Sequence, residues 1–218
     1  MLFSAVEIVT IFFTRKYFGV FLQMEIKKFW VPTAAFITLI SASLSAPIQA
    51  ADLNYNYVEG RYLLSADIDD SNLDGDGLRI AGSYRFTNEI FGLAKWEDVD
   101  FDRGVDGTIF EIGAGYIFPI NPSWDSNFTL SYGNTDFSGP GGDADDSGLI
   151  LSGGVRGMVT PEIEARAKLT YNDSWEDDDT YLTIAGDYFF MPNLSAGLEV
   201  DLGGEYETLS IGVRYFFK

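Results

Sequence analysis

The residues with the most evident chemistry are carboxylates in Gly-rich segments. The densest group places five aspartates within ten residues: Asp67, Asp69, Asp70, Asp74 and Asp76. Hard cations such as Ca²⁺ and Mg²⁺ take several oxygen ligands from a flexible loop. The spacing lacks the twelve-residue calcium-loop pattern and its terminal glutamate. A divalent cation here is therefore a hypothesis, and a solvated acidic loop is the alternative.

Two residue types that carry much of enzyme chemistry are missing, because the chain has neither His nor Cys. Without Cys there is no disulfide, no thiolate metal site and no thiol nucleophile. Without His the usual base that activates a serine is lacking. We therefore expect no enzymatic activity and no cofactor beyond the divalent cation considered above.

The net charge limits the kinds of partner that the protein can bind. The whole chain carries −19, and its first 50 residues hold four Lys/Arg and two Glu, which leaves −21 for the remainder. Such a surface repels nucleic acid, so we expect no nucleic-acid partner. A content of 46% hydrophobic and 16% aromatic residues argues against disorder.

A second set of charged residues repeats at alternate positions. Seven of the ten basic residues after position 50 fall on one face of alternating segments, and six acids share that face. The predicted ion-pair network consists of Glu59, Arg61, Arg79, Arg85, Glu111, Arg156, Glu164, Arg166, Lys168, Asp187, Glu199, Asp201 and Arg214. Burying these groups is costly unless they pair with one another.

Strands must position these charges, because the period is two. In the last segment Leu209, Ile211, Val213 and Tyr215 alternate with Thr208, Ser210, Gly212 and Arg214. About ten such segments follow residue 51, although the third, Ile90–Trp96, is ambiguous in phase. Four short turns containing Asn or Pro predict ten strands, with eight as the alternative.

The connections between strands alternate in length. The short ones are Thr87–Glu89, Pro119–Pro122, Thr160–Glu162 and Met191–Asn193. The long, acidic ones are predicted as loops at Asp67–Gly77, Glu97–Gly107, Asp136–Ser147, Asn172–Asp179 and Gly203–Glu207. Aromatic residues near the short turns (Phe86, Phe118, Phe190, Phe217) and near the long loops (Trp96, Tyr132, Tyr171, Trp175, Tyr181) predict two girdles.

The orientation of the two faces decides the class. A soluble barrel places apolar residues inside, whereas large aromatics opposite Gly, Ser and ion pairs fit an apolar exterior and a polar interior. The predicted fold is all-β, an antiparallel up-and-down transmembrane β-barrel. A soluble periplasmic lipocalin-like binder is the alternative, and it requires the aromatics to point inward.

The N-terminal region reads as a targeting segment. Lys27 and Lys28 precede a short apolar stretch, and Ile48–Ala50 is a plausible cleavage site. This pattern predicts a cleaved signal peptide at 24–50, a barrel domain at 51–218 and an upstream extension at 1–23.

With the signal peptide, the segment YVEGRYLL at 57–64, the alternating hairpins and the aromatic end, the chain resembles the small, porin-like outer-membrane β-barrel family of Gram-negative bacteria. The resemblance implies a monomer in the outer membrane, in contact with lipid and lipopolysaccharide. It also implies recognition of the C-terminal aromatics by the barrel assembly machinery. Tyr215 and Phe217 match that pattern, while Lys218 departs from it.

The sequence leaves several roles open. We expect a structural or surface-interaction role without catalysis, with acidic loops and the aromatics Phe101, Phe137 and Trp175 facing outward to a partner. Mg²⁺ or Ca²⁺ could bridge these loops to lipopolysaccharide phosphates. The alternative function is a small passive channel lined by the basic residues, but so few strands leave space for side chains and little more.

Overall fold

Ten strands follow the alternating segments of the sequence. The computed structural model describes residues 53–68, 73–174 and 179–218, so the predicted extension and signal peptide lie outside the described residues. The strands are Tyr57–Ile68 (β1), Leu73–Arg85 (β2), Ile90–Phe101 (β3), Val105–Asn121 (β4), Trp124–Ser138 (β5), Ala144–Thr160 (β6), Ile163–Asn172 (β7), Asp179–Met191 (β8), Leu194–Leu202 (β9) and Tyr206–Phe216 (β10). No helix in these ranges is long and apolar enough to cross a membrane.

Each strand pairs antiparallel with its neighbours in sequence, and β1 pairs with β10 to close the barrel. The closing seam runs from Tyr57 opposite Phe216 to Ile68 opposite Tyr206. Closure satisfies the backbone groups that an open sheet would leave at its two edges. The prediction of a ten-stranded up-and-down barrel is confirmed, and the alternative of eight strands is wrong.

The two ends of the barrel differ, but the long loops predicted at one end are shorter than expected. The four short turns lie at one end, where β4, for example, reaches Asn121 and β5 begins at Trp124. At the other end several segments predicted as loops are mostly strand. In β3, outward Asp98 and Asp100 alternate with buried Val99 and Phe101. This segment was predicted as a loop because it is acidic, but it has the regular alternation of a strand.

The inner and outer walls have opposite chemistry. Large apolar side chains such as Ile80, Ile112, Leu130 and Val213 are about half exposed on the outer wall. Arginines and glutamates are buried inside the barrel, and Arg61 is only 1% exposed. The soluble alternative with inward aromatics and outward charges is therefore not the observed arrangement.

Candidate functional site in the barrel lumen

A single ion-pair network crosses the barrel at mid-height. It joins six carboxylates and five guanidinium groups from eight strands: Glu59, Arg61, Arg79, Glu97, Arg156, Glu164, Arg166, Asp187, Glu199, Asp201 and Arg214. The strand period brings them together, because each lies on the inward face of its strand. We call this set the lumen network.

Glu164 is one centre of the lumen network. Its carboxylate accepts a hydrogen bond from Nη2 of Arg156 at 2.7 Å and lies 3.4 Å from Nη1 of Arg214 and 3.5 Å from Nη1 of Arg166. The residue is 1% exposed. Because three positive groups surround this one buried carboxylate, its negative charge is needed to compensate theirs.

Glu199 is the second centre and connects Arg79 of β2 with Arg166 of β7. It lies 2.7 Å from Nη1 of Arg79 and 3.2 Å from Nη2 of Arg166. Arg79 continues the chain to Glu97, whose other oxygen accepts a 2.8 Å hydrogen bond from the Tyr206 hydroxyl. Such pairs favour folding when each charge finds several partners, which this geometry supplies.

Most of the residues proposed from the sequence lie in this network, and three of them do not. Arg85 donates a hydrogen bond to the carbonyl of Leu53, which precedes β1. Glu111 lies 3.2 Å from Nζ of Lys95, and Lys168 lines a cavity. Lys95 and Glu97 also face the lumen, although neither was predicted to. Because Trp96 points outward, strand alternation places both of its neighbours on the inward face.

The opposite part of the inner wall is built from small residues. Strands β4, β5 and β6 present Gly113, Gly115, Thr129, Ser131 and Ser152 inward. Since these side chains fill little volume, a cavity of about 200 Å³ remains beside the lumen network, and Lys95, Glu111, Thr129, Lys168 and Tyr181 are among its lining residues. Because several polar side chains line this cavity, it has room and hydrogen-bond partners for ordered water.

Apolar clusters lie above and below the network. At the end with the short turns, Leu53 and Tyr55 pack with Phe91, Ile117 and Met158. At the other end Leu63, Ala66, Val99 and Phe101 form a second cluster, against which Phe137 packs. The two clusters exclude water from the barrel axis, one on each side of the ion pairs.

The second cluster corrects part of the sequence interpretation. Phe101 and Phe137, expected to face a partner, instead pack against each other inside the barrel, with ring centroids 6.1 Å apart. Tyr181, expected in the outer girdle, lines the cavity. Trp175 lies outside the described residues.

The candidate cation ligands that the structure describes belong to the β1–β2 hairpin. Asp67 and Asp74 are cross-strand partners, and Asp76 accepts a hydrogen bond from the Tyr62 hydroxyl on the exposed wall. Asp69 and Asp70 lie outside the described residues. Within the described ranges, no three acidic side chains converge on a position that could hold a metal ion.

The outer wall carries an apolar band bordered by aromatic residues. Phe86, Phe118 and Phe190 are exposed near the short turns, and Trp96, Tyr132 and Tyr171 are exposed nearer the other end. An outward apolar band with an aromatic girdle at each border is the arrangement that lipid requires of a barrel. The chain has the fold of an outer-membrane β-barrel.

Similarities to known proteins were found among solved structures. Neither a protein-family model nor a curated protein matches the chain. The KdgM porin has 16% identity and a TM-score of 0.44, with 74% of this chain and 99% of that chain covered. The attachment invasion locus protein Ail of Yersinia pestis has 17% identity and a TM-score of 0.42, with 77% and 100% covered.

A third structure that the chain resembles is the N-terminal β-barrel domain of Pseudomonas aeruginosa OprF. It has 14% identity and a TM-score of 0.43, with 76% of this chain and all of that domain covered. At such identities the likeness concerns the fold.

Proposed function

We propose that this chain is a non-catalytic outer-membrane barrel with a sealed lumen, and that its role is structural or one of surface interaction. The observation that carries the proposal is the lumen network, which spans the barrel between two apolar clusters. The charged groups of the lumen network are paired with one another. They are therefore poorly suited to catalysis or to lining a wide pore.

Single-channel recording in a planar bilayer tests the sealed lumen. We expect folded protein to give no stable, large conductance steps, because a ten-stranded barrel filled by side chains has no wide aqueous path. The folded fraction is measured beforehand from the gel mobility of boiled and unboiled samples. Stable, large steps from folded protein would contradict the proposal.

A small passive channel is the second candidate function. The cavity beside the small residues of β4 to β6 favours it, because this space borders the lumen network and is not filled by side chains. Its lining contains Lys95 and Lys168 as well as Glu111, so both signs of charge are present. In that case the recordings would show small, reproducible steps that weaken when Thr129 is replaced by a larger residue.

For the surface role, we propose the outer membrane of a Gram-negative bacterium as the location, with export by a cleaved signal peptide, insertion by the barrel assembly machinery and a monomeric state. Outward Asp74, Asp76, Asp98, Asp100 and Asp136 support contact with lipopolysaccharide, because a divalent cation can bridge exposed carboxylates to phosphates. The long connections supply the surface for other partners.

Thermal unfolding in lipopolysaccharide micelles tests the bridging cation. We expect EDTA to lower the melting temperature of the native sequence and to have a smaller effect on the Asp74→Asn/Asp76→Asn variant. A matched control is Asp125→Asn, since Asp125 is buried inside the barrel. If the melting temperature of the native sequence does not respond to EDTA, the bridging cation is rejected while the sealed barrel stands.

A further inference from the structure

Lys168 is a positive charge on the inner wall that has no carboxylate beside it. It lies on β7 two residues after Arg166, which contacts three carboxylates of the lumen network. By contrast, the Lys168 side chain forms no ion pair and no hydrogen bond with any other residue that the structure describes. An ammonium group carries three donors and is costly to leave without partners. Lys168 therefore needs partners that the barrel wall does not supply.

The strand register explains why Lys168 is unpaired. Its cross-strand partners are Gly154 of β6 and Thr183 of β8. Gly154 has no side chain, and the Thr183 hydroxyl already donates to Asp201 at 2.6 Å. The register therefore leaves the ammonium group free to extend into the cavity beside the lumen network, which Lys168 lines.

A second ammonium group reaches the same cavity from across the barrel. Lys95 lies on β3, four strands from β7 in a ring of ten, and it also lines the cavity. Both lysines interact electrostatically with the same two groups, the Glu111 carboxylate and the Tyr181 hydroxyl. The two ammonium groups therefore lie near the same part of the cavity.

This part of the cavity has more hydrogen-bond donors than acceptors. Glu111 lies 3.2 Å from Nζ of Lys95, so one carboxylate faces the two ammonium groups and one positive charge is in excess. The hydroxyl groups of Thr129 and Tyr181 also line the cavity and form no side-chain hydrogen bond with another described residue. A set of free donors with an excess positive charge favours an anion.

The charge of the neighbouring lumen network limits which anion fits. The network has six carboxylates and five guanidinium groups, so its one excess negative charge offsets the excess positive charge of the cavity. Lys168 interacts electrostatically with Glu199 of the network but forms no ion pair with it. Long-range attraction of an anion is therefore small. The position favours an anion with a single charge, whose oxygen atoms accept hydrogen bonds at short range.

We propose that Lys95 and Lys168 together bind a small monocarboxylate in this cavity. Each carboxylate oxygen can accept a hydrogen bond from one ammonium group. The cavity of about 200 Å³ suits a ligand of a few heavy atoms, since one water molecule takes up ~30 Å³ of liquid. The proposal goes beyond the function proposed above, which assigns no ligand to the lumen.

Trifluoroacetate, a small monocarboxylate with a fluorine NMR signal, tests the site in the folded protein in detergent micelles. Binding broadens the fluorine line, so a titration gives the dissociation constant. We expect Lys168→Met to weaken binding at least about tenfold, which is ~1.4 kcal/mol. A hydrogen bond to a charged group contributes at least that much. Lys218→Met is the matched control, because it removes the same charge from an exposed lysine after β10.

Three results together support the site: broadening by the native sequence beyond that of empty micelles, a loss in Lys168→Met but not in Lys218→Met, and suppression by excess acetate. The site is overturned if the native sequence broadens the line no more than empty micelles, which leaves water alone in the cavity. It is equally overturned if both substitutions leave the broadening unchanged, because the ligand then binds elsewhere.

A second variant covers a failure to fold. If Lys168→Met does not fold, Lys168→Gln removes the charge while keeping a polar side chain, and the same expectations apply. The sealed lumen is decided separately by the conductance recordings, because a cavity that is open at one end can hold an anion without conducting. Failure of the carboxylate site is therefore distinguishable from failure of the proposed function.

Discussion

The two sides of the inner wall are lined by different kinds of side chain. Strands β1, β2 and β7 to β10, together with Glu97 of β3 and Arg156 of β6, fill the lumen with long charged side chains that neutralise one another. Elsewhere strands β4 to β6 line it mainly with glycine, serine and threonine and leave a cavity. The first side is held by many linked ion pairs, whereas the second has isolated contacts such as Lys95 with Glu111 and Ser152 with Thr170.

This difference shows where the interior can tolerate change. On the charged side each group has partners on several strands, so removing one leaves others buried without compensation. On the small-residue side a polar group faces a cavity where water can replace a lost partner. The same chemical substitution should therefore cost more on the charged side.

Removing the charge at Glu164 should have the largest effect. Glu164→Gln keeps the shape but leaves Arg156, Arg166 and Arg214 without their shared carboxylate. Breaking a buried ion pair by removing one partner costs about 3–5 kcal/mol. We expect a loss of that size in the free energy of unfolding, measured by denaturant titration of the folded barrel in lipid vesicles.

The control for this prediction lies on the other side of the lumen. Ser152→Ala removes only the hydrogen bond between the Ser152 and Thr170 hydroxyls, which are 3.1 Å apart. A loss of about 1–3 kcal/mol is expected, because the buried Thr170 hydroxyl loses this partner. If Glu164→Gln cost no more than Ser152→Ala, the charged side would not depend on pairing.

Alternation along the strands predicted the fold and the position of most charges. Arg61, Arg79 and Arg166 fall on the inward face because every second residue must, and their neighbours are apolar. The charged residues therefore identify the inward face of each strand. The same rule failed for Glu97, because the acids around it were attributed to a loop.

The contacts that depend on shape could not be predicted in this way. Nothing in the sequence shows that Tyr55 is buried in the barrel, because residues 53–56 have no strand period and the residues that contact Tyr55, Arg85 and Arg156, are far along the chain. Likewise Phe101 and Phe137 lie among acidic residues. Their burial follows from the longer strands at that end, which only the register reveals.

Adding a methyl group behind the lumen network should have an intermediate effect. A Cβ at Gly212 would lie 2.3 Å from Cγ of Arg61 and 2.8 Å from the Gly60 carbonyl oxygen. Overpacking of this kind costs about 1–3 kcal/mol. We expect Gly212→Ala to lower the free energy of unfolding by that amount in the same vesicle assay.

Gly186→Ala is the matched control for the added methyl group, because nothing lies within 4 Å of a Cβ at that position. Replacing glycine within a strand by alanine there should be neutral or stabilising by about 0.5–1 kcal/mol. Equal losses from both substitutions would mean that the ladder, and not the packing of Arg61, sets the sensitivity to added volume.

The smallest effect is expected from Glu111→Gln, which repeats the first substitution on the side with the cavity. Glu111 pairs with Lys95 at 3.2 Å, and the Lys95 side chain is 21% exposed to the cavity. Water there can solvate the ammonium group once its partner loses its charge, so the loss should be nearer the ~1 kcal/mol typical of solvated pairs. A loss equal to that of Glu164→Gln would show that the cavity does not solvate its walls, and the contrast between the two sides would then lie in shape alone.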